Sequence, residues 1–526
     1  MDSDYRDLYD DTAAAGGKKS SKKNKKKKRK KPIRLPGIVI TITLLLLSIE
    51  FVGMLWMTQL IPDYFLIAGG LALLTMVLII YLFVRNMRKK APFVIGVLLA
   101  ILMGALMVVG NFYILSTVNV LSQISGVNTR TSEMGVYVRT DDPAESLEDA
   151  SGYTFAVMTD LDAENSQAAL TQLYSQLGDV DVVEVGGVME IAQGLLEGEY
   201  DAMILNSAYI DVLADIEDYA DIEDRVRELD KISVVIEESE EIVSEDADLP
   251  EILQIYISGV DTRESSITNS RSDVNIVATI NTKTKQVVLI STPRDYYVPL
   301  SISNGECDKL THAGIYGIDC SMDTLSMLYD ADIKYYFRVN FTGFVDIIDA
   351  LGGIDVYSET DFTSELAEGT FSYTEGMNHL SGEEALSFAR ERHAFASGDR
   401  ARGTHQMEVI RAVLEKAMTP EILKKYSSIM TAVSGSFETN ISYSMIADIV
   451  KMQLSDGAEW NIVSYSVDGT GDTRKPYSLS TAAYVMVPDE TTVEHAMDLM
   501  QQVIDGEIVV DETEAAEEAE DAAEAE

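Results

Sequence analysis

LQIYISGVDTRESSITNSRSDVNIVATINTKTKQVVLISTPRD, residues 253–295, alternates short apolar runs with polar, charged ones. LQIYISG, VNIVATINT and QVVLIST are rich in Ile and Val and bounded by turn residues, a pattern that predicts three strands. VDTRESSITNSRSD and TKTK then become loops, and PRD closes the third strand. Aspartates and arginines so placed stand at strand ends, where a rigid sheet positions loop side chains for chemistry. Upstream, YTFAVMT, VDVVEV and YDAMILN read as strands, with AENSQAALTQLYSQL and GGVMEIAQGLLEGE as helices between them. The expected fold class is therefore α/β, with a small accessory domain over 116–235, an acidic linker over 236–250 and a larger domain over 251–506. The accessory module holds few basic residues and no phosphate-cradling glycine loop, so no ligand is legible in it.

Three apolar stretches lie ahead of these domains, at 37–61, 65–84 and 91–115. Each reaches the ~20 residues that cross a bilayer, so 37–115 is expected to form three transmembrane helices. A cleavable signal peptide, with an apolar core of about 7–15 residues, does not fit. Residues 18–34 hold twelve Lys and Arg, and Arg85, Arg88, Lys89 and Lys90 separate the second and third stretches. Pro62, Asp63 and Tyr64, between the first and second, include no basic residue. Basic flanks stay cytoplasmic. The expected protein is thus a multi-pass cell-membrane protein with its N-terminus cytoplasmic and everything beyond about residue 116 extracytoplasmic. Residues 1–36 become a cytoplasmic basic disordered arm drawn to anionic lipid, and 507–526 an acidic disordered tail. Glu50, inside the first stretch, is expected to face a helix partner or to be protonated.

The formal net charge of the 526 residues is −45, but its distribution is uneven. From residue 116 onward 24 basic residues face 79 acidic ones, which excludes a general attraction to nucleic acid there. Cys307 and Cys320 leave two readings open, a disulfide in an oxidising compartment or two buried thiols. Zinc is not expected, because the five histidines do not cluster near these cysteines.

Within this acidic region, residues 261–402 supply Arg263, Arg271, Arg294, Arg338, Arg390, Arg392, Arg400 and Arg402. The planar guanidinium fork grips phosphate oxygens, so such a group with interspersed aspartates suits a metal-bound pyrophosphate. One at a time, each arginine also reads as an ordinary surface ion pair. Their order decides between these readings. ISGVDTR, SRSDVNIVATIN, STPRDYYV, DKLTHAGIYG, YYFRVNFTGFVDIIDALGGIDVY, LSGEEALSFARERH and GDRARGTHQ resemble, in sequence and spacing, the catalytic domain of the LytR-CpsA-Psr family, and most closely its streptococcal capsule branch. The three membrane stretches are similar to that branch as well.

The resemblance implies a catalytic α/β domain with a central sheet and a deep apolar pocket for a polyprenyl tail. It implies that Asp261 and Asp273 hold Mg2+ or Mn2+, and that Arg271, Arg294, Arg390, Arg392 and Arg402, with Gln406, bind the pyrophosphate. Asp295 is expected to orient Arg294 or another site arginine. The implied activity transfers a glycopolymer of capsule or teichoic-acid type from a polyprenyl pyrophosphate carrier to peptidoglycan. The membrane and, further, capsule or wall-polymer assembly proteins are the partners it suggests. A membrane-bound transcriptional regulator and a lipid pyrophosphate phosphatase are the alternatives; the first sits poorly with an extracytoplasmic domain.

The chemistry is coherent on its own terms. Cleaving a phosphoanhydride is governed by positioning and by stabilising charge on the oxygens, which guanidinium groups and a hard cation supply. The acceptor hydroxyl needs a base within hydrogen-bond reach; Asp273 is the first choice and Asp295 the second. Relatives carry Arg or Asn where this chain has His405, which reads either as a pH-sensitive phosphate contact or as a residue on a helix surface. Ser381 and Glu384 form an expected capping box. Arg390 and Arg392 do not share a helical face, so the helix must end or bend near RERH for both to reach one phosphate.

Overall fold

A computed structural model describes residues 35–124, 129–237, 249–260, 267–366, 369–392, 394–395, 399–417 and 437–510. Residues 1–34 of the expected arm, most of the expected linker (238–248) and residues 511–526 of the expected tail therefore lie outside the described residues; the first residues of that tail are packed, Val509 being buried and bonded to Gln286. Three helices, α1 (Leu35–Met57), α2 (Asp63–Val84) and α3 (Lys90–Ile124), open the chain, and all three are long and apolar enough to cross a membrane. α3 runs past the expected end at 115, because STVNVLSQI contains no helix breaker. The chain divides into two compact units, residues 1–49 with 70–107 and residues 50–69 with 108–526. In the first unit, Gly37 lies so close to the Val84 carbonyl that a Cβ would collide with it. In the second, Glu50 accepts hydrogen bonds from Asn111 Nδ2 at 3.0 Å on both carboxylate oxygens, giving the charge in an apolar helix its partner.

Among the described residues the second unit carries two large sheets and four two-stranded ones. The first comprises β1 (Thr129–Arg139), β2 (Thr154–Met158), β3 (Asp181–Val185), β4 (Ala202–Asn206) and β5 (Val226–Glu237), in the order β3-β2-β4-β1-β5. Helices α4 (Ala163–Leu177), α5 (Val188–Glu197), α6 (Ala208–Ala214) and the short α7 (Ile222–Arg225) complete the accessory domain. β2 is parallel to β3 and to β4, as expected of strands joined through helices, whereas β1 is antiparallel to both β4 and β5. β5 ends at Glu237, inside the stretch read as linker.

The second large sheet is centred on β6 (Ile252–Val260), β7 (Ser272–Asn281) and β8 (Gln286–Ser291), the three strands of residues 253–295. Beyond them come β9 (Tyr297–Pro299), β10 (Cys307–Lys309), α8 (Leu310–Ala313), α9 (Ile318–Tyr329), β11 (Tyr335–Asn340), α10 (Phe341–Leu351) and β12 (Ile354–Ser358). β13 (Phe362–Leu366), β14 (Gly369–Tyr373), β15 (Gly376–Leu380), α11 (Gly382–Arg390), α12 (Asp399–Ala417), β16 (Phe437–Thr439) and α13 (Tyr443–Asp456) follow. β17 (Asn461–Ser466), β18 (Gly469–Arg474), β19 (Ala483–Pro488) and α14 (Glu490–Asp505) complete the described chain. The central order is β16-β11-β6-β7-β8-β17, with β6–β7–β8 an antiparallel meander and β11 and β17 added in parallel on either side.

Side chains alternate across a strand, and this sheet is apolar on both faces. Tyr256, Val277, Val288 and Ile290 point to one face and pack with α9 and α14 in a closed core. Ile255, Ile257, Ala278 and Ile280 point to the other, toward α10–α13, and there the core stays open.

Candidate active site

The opening is a cavity of about 730 Å3 between that face and helices α10–α13. It follows β6 from Leu253 to Gly259, a run of about 20 Å at the rise of an extended strand. Its length is walled by apolar side chains, among them Phe344 of α10, Ile410 and Val413 of α12, Ile449 of α13, and Trp460 just ahead of β17. Among the described residues, five arginines and two aspartates are the charged residues that line it: Arg271, Arg294, Arg390, Arg392, Arg402, Asp215 and Asp273. An apolar length with an excess of positive charge is chemistry that suits an anion with a long apolar chain.

Each arginine is delivered by a different piece of the fold. Arg294 follows β8, and its Nη1 donates to both oxygens of Asp273 at 3.0 Å. Its Nε is 3.6 Å from Asp295, which is buried and also takes Lys309 Nζ at 3.2 Å. Asp295 is absent from the cavity lining, so the structure places it behind Arg294, while Asp273 is on the wall. Arg390 ends α11, its guanidinium 4.4 Å from the centre of the Phe341 ring. The capping box at the other end of α11 is formed, Ser381 N–H donating to Glu384 at 2.8 Å. Glu391 then turns extended, with φ −65° and ψ 130°, and this break is what lets Arg390 and Arg392 both face the cavity. Arg402 and Gln406 lie one turn apart on α12, both buried and both on the cavity face.

The electrostatics concentrate on Asp273. Burial raises its carboxyl, but Arg294, Arg271 and Arg402 more than offset this and hold it below the ordinary carboxylate value. An ionised carboxylate on the cavity wall among arginines is a hard oxygen donor of the kind that binds Mg2+ or Mn2+ together with phosphate oxygens. Asp261, its expected companion, and Arg263 lie outside the described residues, as does the side chain of Arg400. No group of three or more His, Cys, Asp or Glu ligands occurs among the described residues.

Several residues stand elsewhere than the sequence suggests. His405 is neither on the helix surface nor among the cavity-lining residues: it is buried against Phe362, Phe388 and Phe395, stacked on Phe362 at 5.3 Å. Burial drives its pKa down to about 4. Arg402 and Gln406, on either side of it in sequence, face the cavity; His405, off that face, fills the core between α11 and β13. Arg338 is buried on the sheet, bonded to the Thr268 carbonyl, and is absent from the cavity lining. Cys307 and Cys320 are free thiols. Asp215, from the accessory domain, is a lining residue that the sequence did not mark; the only signal was its spacing of four from Asp211.

A family model described as the LytR_cpsA_psr family matches residues 217–501. A Bacillus cereus (strain ATCC 14579) protein named polyisoprenyl-teichoic acid–peptidoglycan teichoic acid transferase TagU is 35% identical over 38% of this chain, which spans 64% of that relative's length. The Enterococcus faecalis (strain V583) protein of the same name is 32% identical over 42% of this chain and 71% of its own. The crystal structure of B. subtilis TagV is 27% identical, covers 48% of this chain and 98% of its own, and superimposes with a TM-score of 0.41.

Proposed function

Because the chain belongs to the LytR-CpsA-Psr family, we propose that it is an extracytoplasmic phosphotransferase that moves a glycopolymer, of teichoic-acid or capsule type, from a polyprenyl pyrophosphate carrier to a hydroxyl of peptidoglycan. The observation that carries this reading is the cavity itself, apolar for about the length of β6 and with five arginines among its described lining residues. Such a shape suits a polyprenyl chain along the sheet with its pyrophosphate at the guanidinium groups. The names of the relatives support the donor and acceptor classes.

In this reading Arg271, Arg294, Arg390, Arg392 and Arg402, with Gln406, grip the pyrophosphate, and the fixed charges of the arginines meet the negative charge that builds on the oxygens as the phosphoanhydride breaks. Asp295 positions Arg294 from behind, and Phe341 positions Arg390. Asp273, with Asp261, would hold Mg2+ or Mn2+, which when bound supplies further charge stabilisation at the phosphates. Asp273 is also the carboxylate on the wall that suits accepting the proton of the attacking hydroxyl. The glycan phosphate passes to the acceptor oxygen, and polyprenyl monophosphate leaves.

Asp273→Ala tests the carboxylate directly. It should abolish divalent-dependent turnover of a polyprenyl-pyrophosphate-linked donor while leaving the protein folded, since a hard ligand is lost and no core side chain is cut. Full turnover in that variant would remove Asp273 from the chemistry.

A further inference from the structure

Arg271 reaches out of the catalytic domain. Its Nη1 lies 3.0 Å from Asp215 and its Nη2 3.4 Å from Asp211, both carried by the accessory domain. These acids are four apart, on one face of α6 and its C-terminal cap. An acid at a helix C-terminus opposes the helix dipole, so α6 itself does not account for Asp215; its partner on the other domain does. Two residues before Arg271, Asn269 N–H donates to the Thr131 carbonyl at 2.8 Å and Asn269 Nδ2 to Ser132 Oγ at 3.2 Å, tying the same loop to β1. Arg271 is 9% exposed, and its Nε has no hydrogen-bond partner among the described residues.

We infer that the accessory domain is part of the anion site: Asp215 and Asp211 hold Arg271 by the end of its guanidinium, leaving the Nε edge for the pyrophosphate and keeping the guanidinium from closing onto Asp273 as a direct ion pair. A guanidinium offers two bidentate edges, the two Nη atoms and the side that includes Nε. The acids occupy the first. Arg271 already acts electrostatically on Asp273; released from α6, it would be drawn onto that carboxylate and compete with a cation there. Asp215 and Asp211 are positioning residues in this account, which rests on the function proposed above.

Binding of geranylgeranyl pyrophosphate with Mg2+ to the full-length protein in detergent tests the inference. Simple electrostatics has Asp215→Asn tighten binding, because an acid beside an anion site is removed. The positioning role predicts the opposite, about a tenfold loss, with Asp215→Glu recovering most of it. In an Arg271→Gln background Asp215→Asn should cause no further loss, whereas a structural defect would weaken both backgrounds equally. Unchanged or tighter binding by Asp215→Asn, or equal losses in the two backgrounds, would overturn the inference while wild-type binding leaves the function standing. Wild-type protein that does not bind the probe overturns both.

Discussion

Arg390 and Arg392 serve one cavity although a helix would send them to different sides, and the reason is one extended residue, Glu391. That break was expected once the resemblance had both arginines reach one phosphate, because two arginines two apart cannot share a helical face. Arg294, Arg402 and Gln406, which the family resemblance implied as pyrophosphate contacts, all line the cavity. The burial of His405 was not legible in the sequence. A polar residue on an amphipathic helix carries no mark of burial, and its aromatic neighbours come from β13, α11 and the segment after it. Its burial has a pH consequence. The unfolded imidazole takes a proton near pH 6.5 and the folded one only near 4. The stability that His405 contributes is complete above about pH 6.5 and is lost as pH falls toward 4, by about 3 kcal/mol in all. His405→Phe should lack this loss; melting temperatures of both proteins between pH 7 and 4 check it, and parallel curves would place His405 in a wetter setting.

At the scale of elements, the three strands of residues 253–295 and the α/β alternation of 152–207 follow from periodicity alone. β1 and β5 escaped that reading. TRTSEMGVYVR begins with polar residues and VRELDKISVVIE mixes charges with its alternation, so their pairing with each other, from far apart in sequence, settles their state. The cavity was implied by the family resemblance; periodicity shows that β6 and β7 need cover on both faces but cannot tell a packed face from an open one. Val413 of α12 probes the difference, since it lines the cavity at its apolar part. Val413→Trp should fill that space and weaken binding of a long polyprenyl pyrophosphate by at least about tenfold, with inorganic pyrophosphate bound as in wild type. Titration of both ligands checks this, and equal losses for the two would mean that the tail does not lie along α12.

Across the whole molecule, the docking of the accessory domain on the site was invisible in the sequence, because Asp215 and Arg271 meet through tertiary structure between two domains. The three long apolar helices were visible from composition, and the expected orientation rests on the basic flanks. With Cys307 and Cys320 replaced by Ser, Asp141→Cys should react with a membrane-impermeant thiol reagent on intact cells, and Ala15→Cys should not. The reverse pattern would invert the orientation and end the extracytoplasmic assignment. The most direct measurement of the account is transfer itself. Full-length protein with Mg2+, a polyprenyl-pyrophosphate-linked donor labelled in its glycan, and peptidoglycan should yield wall-bound label and polyprenyl monophosphate. Lys at Arg294, Arg390, Arg392 or Arg402 keeps the charge but loses the fork, so each variant should slow transfer by about thirtyfold to a thousandfold. Arg411→Lys, on α12 and paired with Glu415 at 3.4 Å, should stay within a fewfold of wild type. Label released only to water, or four lysine variants as active as the Arg411 control, would contradict the account.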